Sequence, residues 1–144
     1  ELAINEDMPS WGYWMKQGLT TLSEKWKIFN SSKDQSLNHI FMGDISAWMY
    51  NILAGINYDE QHPGFKHLFI QPHFVNGLDW VDAEYNSING LIKSSWKRNG
   101  NEITLNVIVP VNTTATIKIG SISKELNAGN HMLTFANNKL FDKS

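Results

Sequence analysis

The sequence predicts a mixed chain: a helical segment that lacks the partners it needs, followed by an antiparallel β-sandwich. Three observations carry this. Patterning is helical before residue 57, and alternation with turn signals dominates after it. Asn89-Gly90 and Asn99-Gly100 punctuate the second part as two-residue hairpin turns do. The first part offers two helices and a loop, whose apolar faces have too little to pack against on their own. Residues 1–57 therefore read as the incomplete terminal segment of a larger helical domain, and 58–144 as a C-terminal sandwich.

Taken in order, Pro9-Ser10 starts a short helix with Ser10 as N-cap, Trp11, Trp14 and Met15 at helical spacing, and Gly18 as C-cap. Leu19 to Ser23 is β-prone and reads as extended. Asn30 to Asp34 is a polar loop. Gly43-Asp44 opens the clearest helix, with Ile45, Trp48, Met49, Ile52 and Ile56 on one stripe. Gly55 weakens its end, and Asn57 with Asp59 forms a turn. Six strands then follow: Lys66–Gln71, Leu78–Ile88, Leu91–Arg98, Glu102–Val109, Thr113–Ile119 and His131–Phe135. Ile103, Leu105, Val107 and Val109 share one face of the fourth.

Composition narrows the function. With 144 residues there is room for one domain, or a small one plus the end of another. Hydrophobic residues at 42% and charged residues at 18% describe a globular chain. A net charge of -2 and a pI near 6.2 leave no basic footprint for nucleic acid. No stretch of about 18 apolar residues predicts a membrane span. The absence of cysteine removes disulfides, thiolate sites and cysteine nucleophiles together. It does not fix the compartment, so export of a bacterial parent to the periplasm or beyond stays open. The first residue, Glu1, reads as truncation of a longer parent.

No metal ligand set or cofactor loop stands out. The five histidines (His39, His62, His67, His73, His131) never pair at i, i+4, and no glycine-rich phosphate loop or GxSxG elbow occurs. His67 and His73 read as surface or packing residues at an edge of the sandwich. The unusual segment is PSWGYWMKQGLTTLSEKW, Pro9 to Trp26, which gathers three of the six tryptophans around one carboxylate, Glu24. A flat ring can wall a sugar while a carboxylate activates water or protonates a leaving group. On the residues alone, Glu24 reads more readily as an ordinary surface acid beside Lys25.

The order PSWGYW, GLTTLSEKW, SLNH, GDISAWMYNILAGI and PGFKHLFIQP, continued by VPVNTTATIKIG at 109–120, resembles the C-terminal region of α-L-rhamnosidases of glycoside hydrolase family 78. The resemblance runs from Pro9 to Gly120 and is specific as an ordered set of motifs. It implies the C-terminal end of an (α/α)6 barrel followed by an antiparallel β-sandwich. It also implies a parent that removes terminal α-L-rhamnose from glycans or glycosides by inverting hydrolysis, with a rhamnose-containing carbohydrate as ligand and no cofactor. The family's TT-x-x-E-x-W segment falls on Thr20, Thr21, Glu24 and Trp26, which makes Glu24 the general base. Its S-x-N-H segment falls on Ser36, Asn38 and His39, which makes His39 a sugar contact. Two departures stand out: Ser23 where the family often has tryptophan, and a shorter loop between Glu24 and His39. The general acid lies earlier in the barrel, outside this chain, so the chain alone is expected to be inactive.

Two other readings remain open at this level. A free-standing carbohydrate-binding sandwich would show Trp80, Tyr85 and Trp96 as an exposed aromatic row. An α/α-barrel glycosidase for another sugar would share the fold but not the substrate. The leading reading expects exposed apolar surface on 10–56, where the remainder of the barrel packs, and association of the isolated chain through it.

Overall fold

A computed structural model of the chain describes residues 2–28 and 35–136 in full, and the backbone of 139–141. The predicted polar loop at Asn30–Asp34 lies outside the described residues. The chain divides into two compact units, Glu1–Ala47 and Trp48–Ser144.

In the first unit Ser10 caps α1 (Trp11–Lys16), its hydroxyl accepting the Tyr13 N–H at 2.8 Å. That satisfies one of the orphan donors of the first turn. The same hydroxyl donates to the Asn5 carbonyl, and Ser10 is fully buried. Gly12 has a steric reason: a Cβ there would lie 2.3 Å from the Asn5 carbonyl oxygen. Residues 19–23, expected to be extended, form no strand; their backbone pairs irregularly with the segment before the 3-10 turn Ile40–Met42.

The second predicted helix is shorter than its apolar stripe. α2 (Asp44–Trp48) passes into a π-helical turn, Met49–Leu53, and ends there. Ile56, placed on that stripe by its spacing, belongs instead to β1 (Ile56–Tyr58), as does Asn57, which was expected in a turn. Gly55 enforces the change of direction. It adopts φ 74°, and a Cβ on it would lie 2.2 Å from the Pro72 nitrogen.

The second unit is a two-sheet sandwich. One sheet has the order β1-β2-β6-β7, with β2 (His67–Ile70), β6 (Thr114–Ile119) and β7 (Ile122–Leu126). The other has the order β3-β4-β5-β8-β9, with β3 (Trp80–Ser87), β4 (Gly90–Asn99), β5 (Glu102–Val109), β8 (Gly129–Ala136) and β9 (Lys139–Phe141). Their inner faces share one core. Leu68, Ile70, Ala115 and Ile117 come from the first sheet, and Ile92, Trp96, Leu105, Val107 and Leu133 from the second. The inward face of β5 is the one its alternation predicts.

Several details depart from the expectation. Strands β1, β7 and β9 were not foreseen, because three to five residues give little periodicity to read. One pairing, β2 with β6, is parallel (Leu68 opposite Ala115), while the other pairings run antiparallel. Both hairpin turns lie one residue off the predicted dipeptides. Ser87 pairs with Gly90, so Ile88-Asn89 form the first turn. Asn99 pairs with Glu102, so Gly100-Asn101 form the second, with Gly100 at φ 58°. Asn89 is spent on anchoring: its amide donates to the Gly64 and Phe65 carbonyls at 2.8 and 3.2 Å. β2 is an interior strand, so His67 is not at a sheet edge.

The π-helical turn is closed from below by β4. The Trp96 indole donates to the Leu53 carbonyl at 2.8 Å, and the Ser94 hydroxyl donates to the Ala54 carbonyl at 2.6 Å. Both donor side chains are buried, and their bonds satisfy two carbonyls that the end of the helical turn leaves over. Trp96→Phe would keep the ring contact with Phe74 (5.2 Å, edge-on) and strand the Leu53 carbonyl. It is expected to cost about 1–3 kcal/mol, measured by urea unfolding of the chain.

Beyond β1, the His62 ring lies 2.7 Å from the Asp59 carboxylate, which also accepts the Gln61 N–H at 2.9 Å. These two bonds, the His62 one first, hold the Asp59 carboxyl below its ordinary 3.8. A depressed carboxylate contributes stability above the unfolded value that is lost as pH falls through the folded one. The contact should therefore fade in acid, below about pH 4. In His62→Gln the Asp59 carboxyl should titrate nearer its ordinary value, read from its 13C shift against pH.

Candidate functional site

Three indole rings organise the first unit. Trp14 is 3% exposed, and its N–H donates to the Trp26 carbonyl at 2.9 Å. The Trp14 and Trp26 ring centroids are 4.7 Å apart, and Trp11 meets Trp26 edge-on at 5.0 Å. Trp11 also donates from its indole to the Met42 carbonyl at 3.1 Å. Short sequence spacing places Trp11 and Trp14 on one side of α1, and a buried indole must spend its N–H on an acceptor. As a result α1 holds two distant segments: the one ending at Trp26 and the 3-10 turn ending at Met42.

Those segments carry Glu24 and His39, and the backbone brings them side by side. The Glu24 N–H donates to the Ser36 carbonyl at 3.0 Å, and the His39 N–H to the Leu22 carbonyl at 2.8 Å. Thr21 adds a hydroxyl bond to the Leu37 carbonyl. Asn38 is held by its own N–H, which donates to the Ser36 hydroxyl at 3.2 Å. The predicted TT-x-x-E-x-W and S-x-N-H segments are thus neighbours in space.

Glu24 is exposed, and its Oε2 accepts the Ser36 N–H at 3.0 Å. Its Oε1 has no partner among the described residues. One oxygen oriented by a backbone amide and one left free suits a carboxylate that is to accept a proton from water. His39 is half-buried and caps the 3-10 turn: its Nδ1 accepts the Phe41 N–H at 3.1 Å. Ser23, the departure from the family pattern, is fully buried with its hydroxyl 3.4 Å from the Lys25 N–H. It presents no ring toward Glu24.

The sandwich does not present the row of rings that a free-standing binding module requires. Trp96 is buried in the core. Trp80 and Tyr85 stand five positions apart along β3 and point to opposite faces. Trp80, expected in the core or at an interface, is 63% exposed within its unit. Tyr85 instead packs against Phe65 at 5.1 Å. Among the described residues no group of three His, Asp or Glu side chains converges on a point where a metal could bind. No described helix is long and apolar enough to cross a membrane. Sequence reasoning singled out Glu24 and His39 but gave no role to Trp11 or to the Ser36 amide. The first contact depends on tertiary folding, and the second is a backbone group that residue type does not reveal.

Residues 55–133 match the family described as bacterial alpha-L-rhamnosidase C-terminal domain, and residues 1–53 match its 6 hairpin glycosidase domain. The chain belongs to the bacterial α-L-rhamnosidase family. It is similar to an α-L-rhamnosidase of Formosa agariphila, 37% identical over 87% of this chain, and to one of Alteromonas sp., 34% identical over 80%. It spans 14% and 13% of the length of those two relatives. Among solved structures it resembles the α-L-rhamnosidase of Dictyoglumus thermophilum, with a TM-score of 0.85 over 92% of this chain and 18% of that one, at 24% identity. It also resembles the Streptomyces avermitilis α-L-rhamnosidase complexed with L-rhamnose, with a TM-score of 0.82 over 93% of this chain and 15% of that one, at 25% identity. The fold is accordingly that of the family's sandwich with the end of its helical barrel ahead of it.

The indole clamp gives a direct test. Trp14→Phe keeps a ring but deletes the bond to the Trp26 carbonyl. Amide exchange over 22–26 should accelerate by an amount corresponding to about 1–3 kcal/mol, while exchange in the sandwich strands stays unchanged.

Proposed function

We propose that this chain is the end of the catalytic barrel and the C-terminal sandwich of a longer glycoside hydrolase. The division falls near residue 57, and the whole enzyme removes terminal α-L-rhamnose by inverting hydrolysis. Glu24 serves as the general base and His39 as a ligand of the sugar. The observation that supports this most is the pairing of the two motif segments: Glu24 and His39 stand on adjacent stretches of chain, with Glu24 Oε2 held by the Ser36 N–H.

In this reading a water lies between Glu24 and the anomeric carbon, on the face opposite the departing group. The carboxylate takes a proton from the water as its oxygen attacks. The general acid, supplied by barrel residues outside this chain, protonates the leaving oxygen. Inversion requires roughly 6.5–9.5 Å between the two carboxyl groups, enough to hold that water. The Ser36 amide holds Glu24 Oε2, leaving Oε1 without a partner among the described residues to take the proton. Apolar side chains left exposed in the first unit, Ile40 at 88% and Phe41 at 71%, provide surface for the rest of the barrel.

The test uses the longer polypeptide and an aryl α-L-rhamnoside. Glu24→Gln is expected to lower kcat by about 100- to 10,000-fold with folding intact. The wild type should release β-rhamnose first, followed by NMR. Inactivity of the wild type across rhamnosides would redirect the proposal to another sugar, and full activity of the variant would remove Glu24 from the mechanism.

A further inference from the structure

The hydrogen bonding around His39 determines which of its ring nitrogens can serve a ligand. His39 is extended at φ -126° and ψ 130°, and its side chain folds back over the turn it precedes. The Phe41 N–H is one of the orphan donors at the start of that turn, and Nδ1 receives it at 3.1 Å. A nitrogen that accepts an N–H offers its lone pair and cannot itself carry a proton. In a neutral imidazole the proton must then be on the other nitrogen. Nε2 has no partner among the described residues.

The turn that imposes this is fixed at both ends. At its start the His39 N–H donates to the Leu22 carbonyl at 2.8 Å. At its end the Met42 carbonyl receives the Trp11 indole at 3.1 Å. The ring also meets Phe41 edge-on at 6.2 Å. A half-turn of the ring would lose the cap, because it would place the Cδ2–H against the Phe41 N–H.

We propose that His39 is locked as the Nε2–H tautomer by the Phe41 amide and meets its ligand only as a hydrogen-bond donor. The group it takes is therefore an oxygen with a free lone pair, such as a sugar hydroxyl acting as acceptor, and that hydroxyl's own proton must go to a different partner. Trp11 acts as a positioning residue for this donor, because its indole holds the far end of the turn. The assignment of a sugar as the ligand rests on the function proposed above; the tautomer does not.

The test has two arms. In the 15N-histidine-labelled chain, held well above the ordinary histidine titration range, long-range 1H–15N correlations identify which nitrogen of His39 is protonated. The expected result is Nε2–H, and an Nδ1–H signature would overturn the proposal whatever the enzyme does. In the longer polypeptide, His39→Asn keeps both a capping oxygen and an outward N–H, whereas His39→Asp keeps only the cap. On an aryl α-L-rhamnoside, KM of the Asp variant should exceed that of the Asn variant by about tenfold, with a smaller change in kcat. Equal KM values would overturn the donor role. A wild type inactive on rhamnosides would instead refute the proposed function and leave the tautomer result standing.

Discussion

In the sandwich, the burial of Trp96 is the constraint on which most else depends. Its ring fills the space between the sheets against Phe74, and its N–H needs an acceptor where no water reaches. The Leu53 carbonyl answers that need because a helical turn ends there with its own carbonyls unpaired. Two deficits cancel in one bond, and Ser94 repeats the arrangement one carbonyl later. The chain can then turn sharply at Gly55 and enter β1, which pairs with β2 to begin the first sheet. The parallel alignment of β2 with β6 follows from long connections that carry the chain through the other sheet between them.

The first unit solves a related problem with fewer regular elements. Among its described residues are a six-residue helix, a 3-10 turn of three and most of the five-residue α2, so its order comes largely from specific side-chain bonds and little from periodic structure. Trp11 and Trp14 supply them, each spending an indole N–H on a backbone carbonyl far along the chain. A carboxylate on irregular backbone is normally free to wander; here the anchors on either side and the Ser36 amide limit it. Precision at Glu24 is thus a product of tryptophan burial.

Much of this was legible in the residues. The strict alternation of Ile103, Leu105, Val107 and Val109 gave β5 its ends and its inward face, because period-two patterning has no competing explanation. Ser10 announced its capping role, since a serine after proline before an apolar run has few other uses. Ile56 misled for a physical reason: its spacing fits the helix stripe, but Gly55 reaches φ 74° and ends the helix first. The Asn-Gly pairs misled by a single residue: the first turn is centred on Ile88-Asn89, where the Asn89 amide is tied to the Gly64 carbonyl. The two motif segments were visible by resemblance, whereas the pairing that joins them is made by backbone amides, which every residue type carries alike.

One feature of the outer sheet reaches beyond stability. β3 is eight residues long and lies at the sheet's edge, where unpaired amides can recruit another strand. Its outward face carries Asp82 and Glu84, bridged by Lys93 at 2.9 and 2.8 Å, and these two carboxylates, Glu84 first, hold the lysine charged to higher pH than usual. A neighbouring molecule adding a strand here would have to displace or bury that charged trio beside Trp80. The Tyr50 hydroxyl occupies the Glu84 carbonyl as well, at 3.1 Å, removing one acceptor from the edge. The charges and the capped carbonyl at this margin are the kind of feature that makes an edge strand a poor template for a further strand.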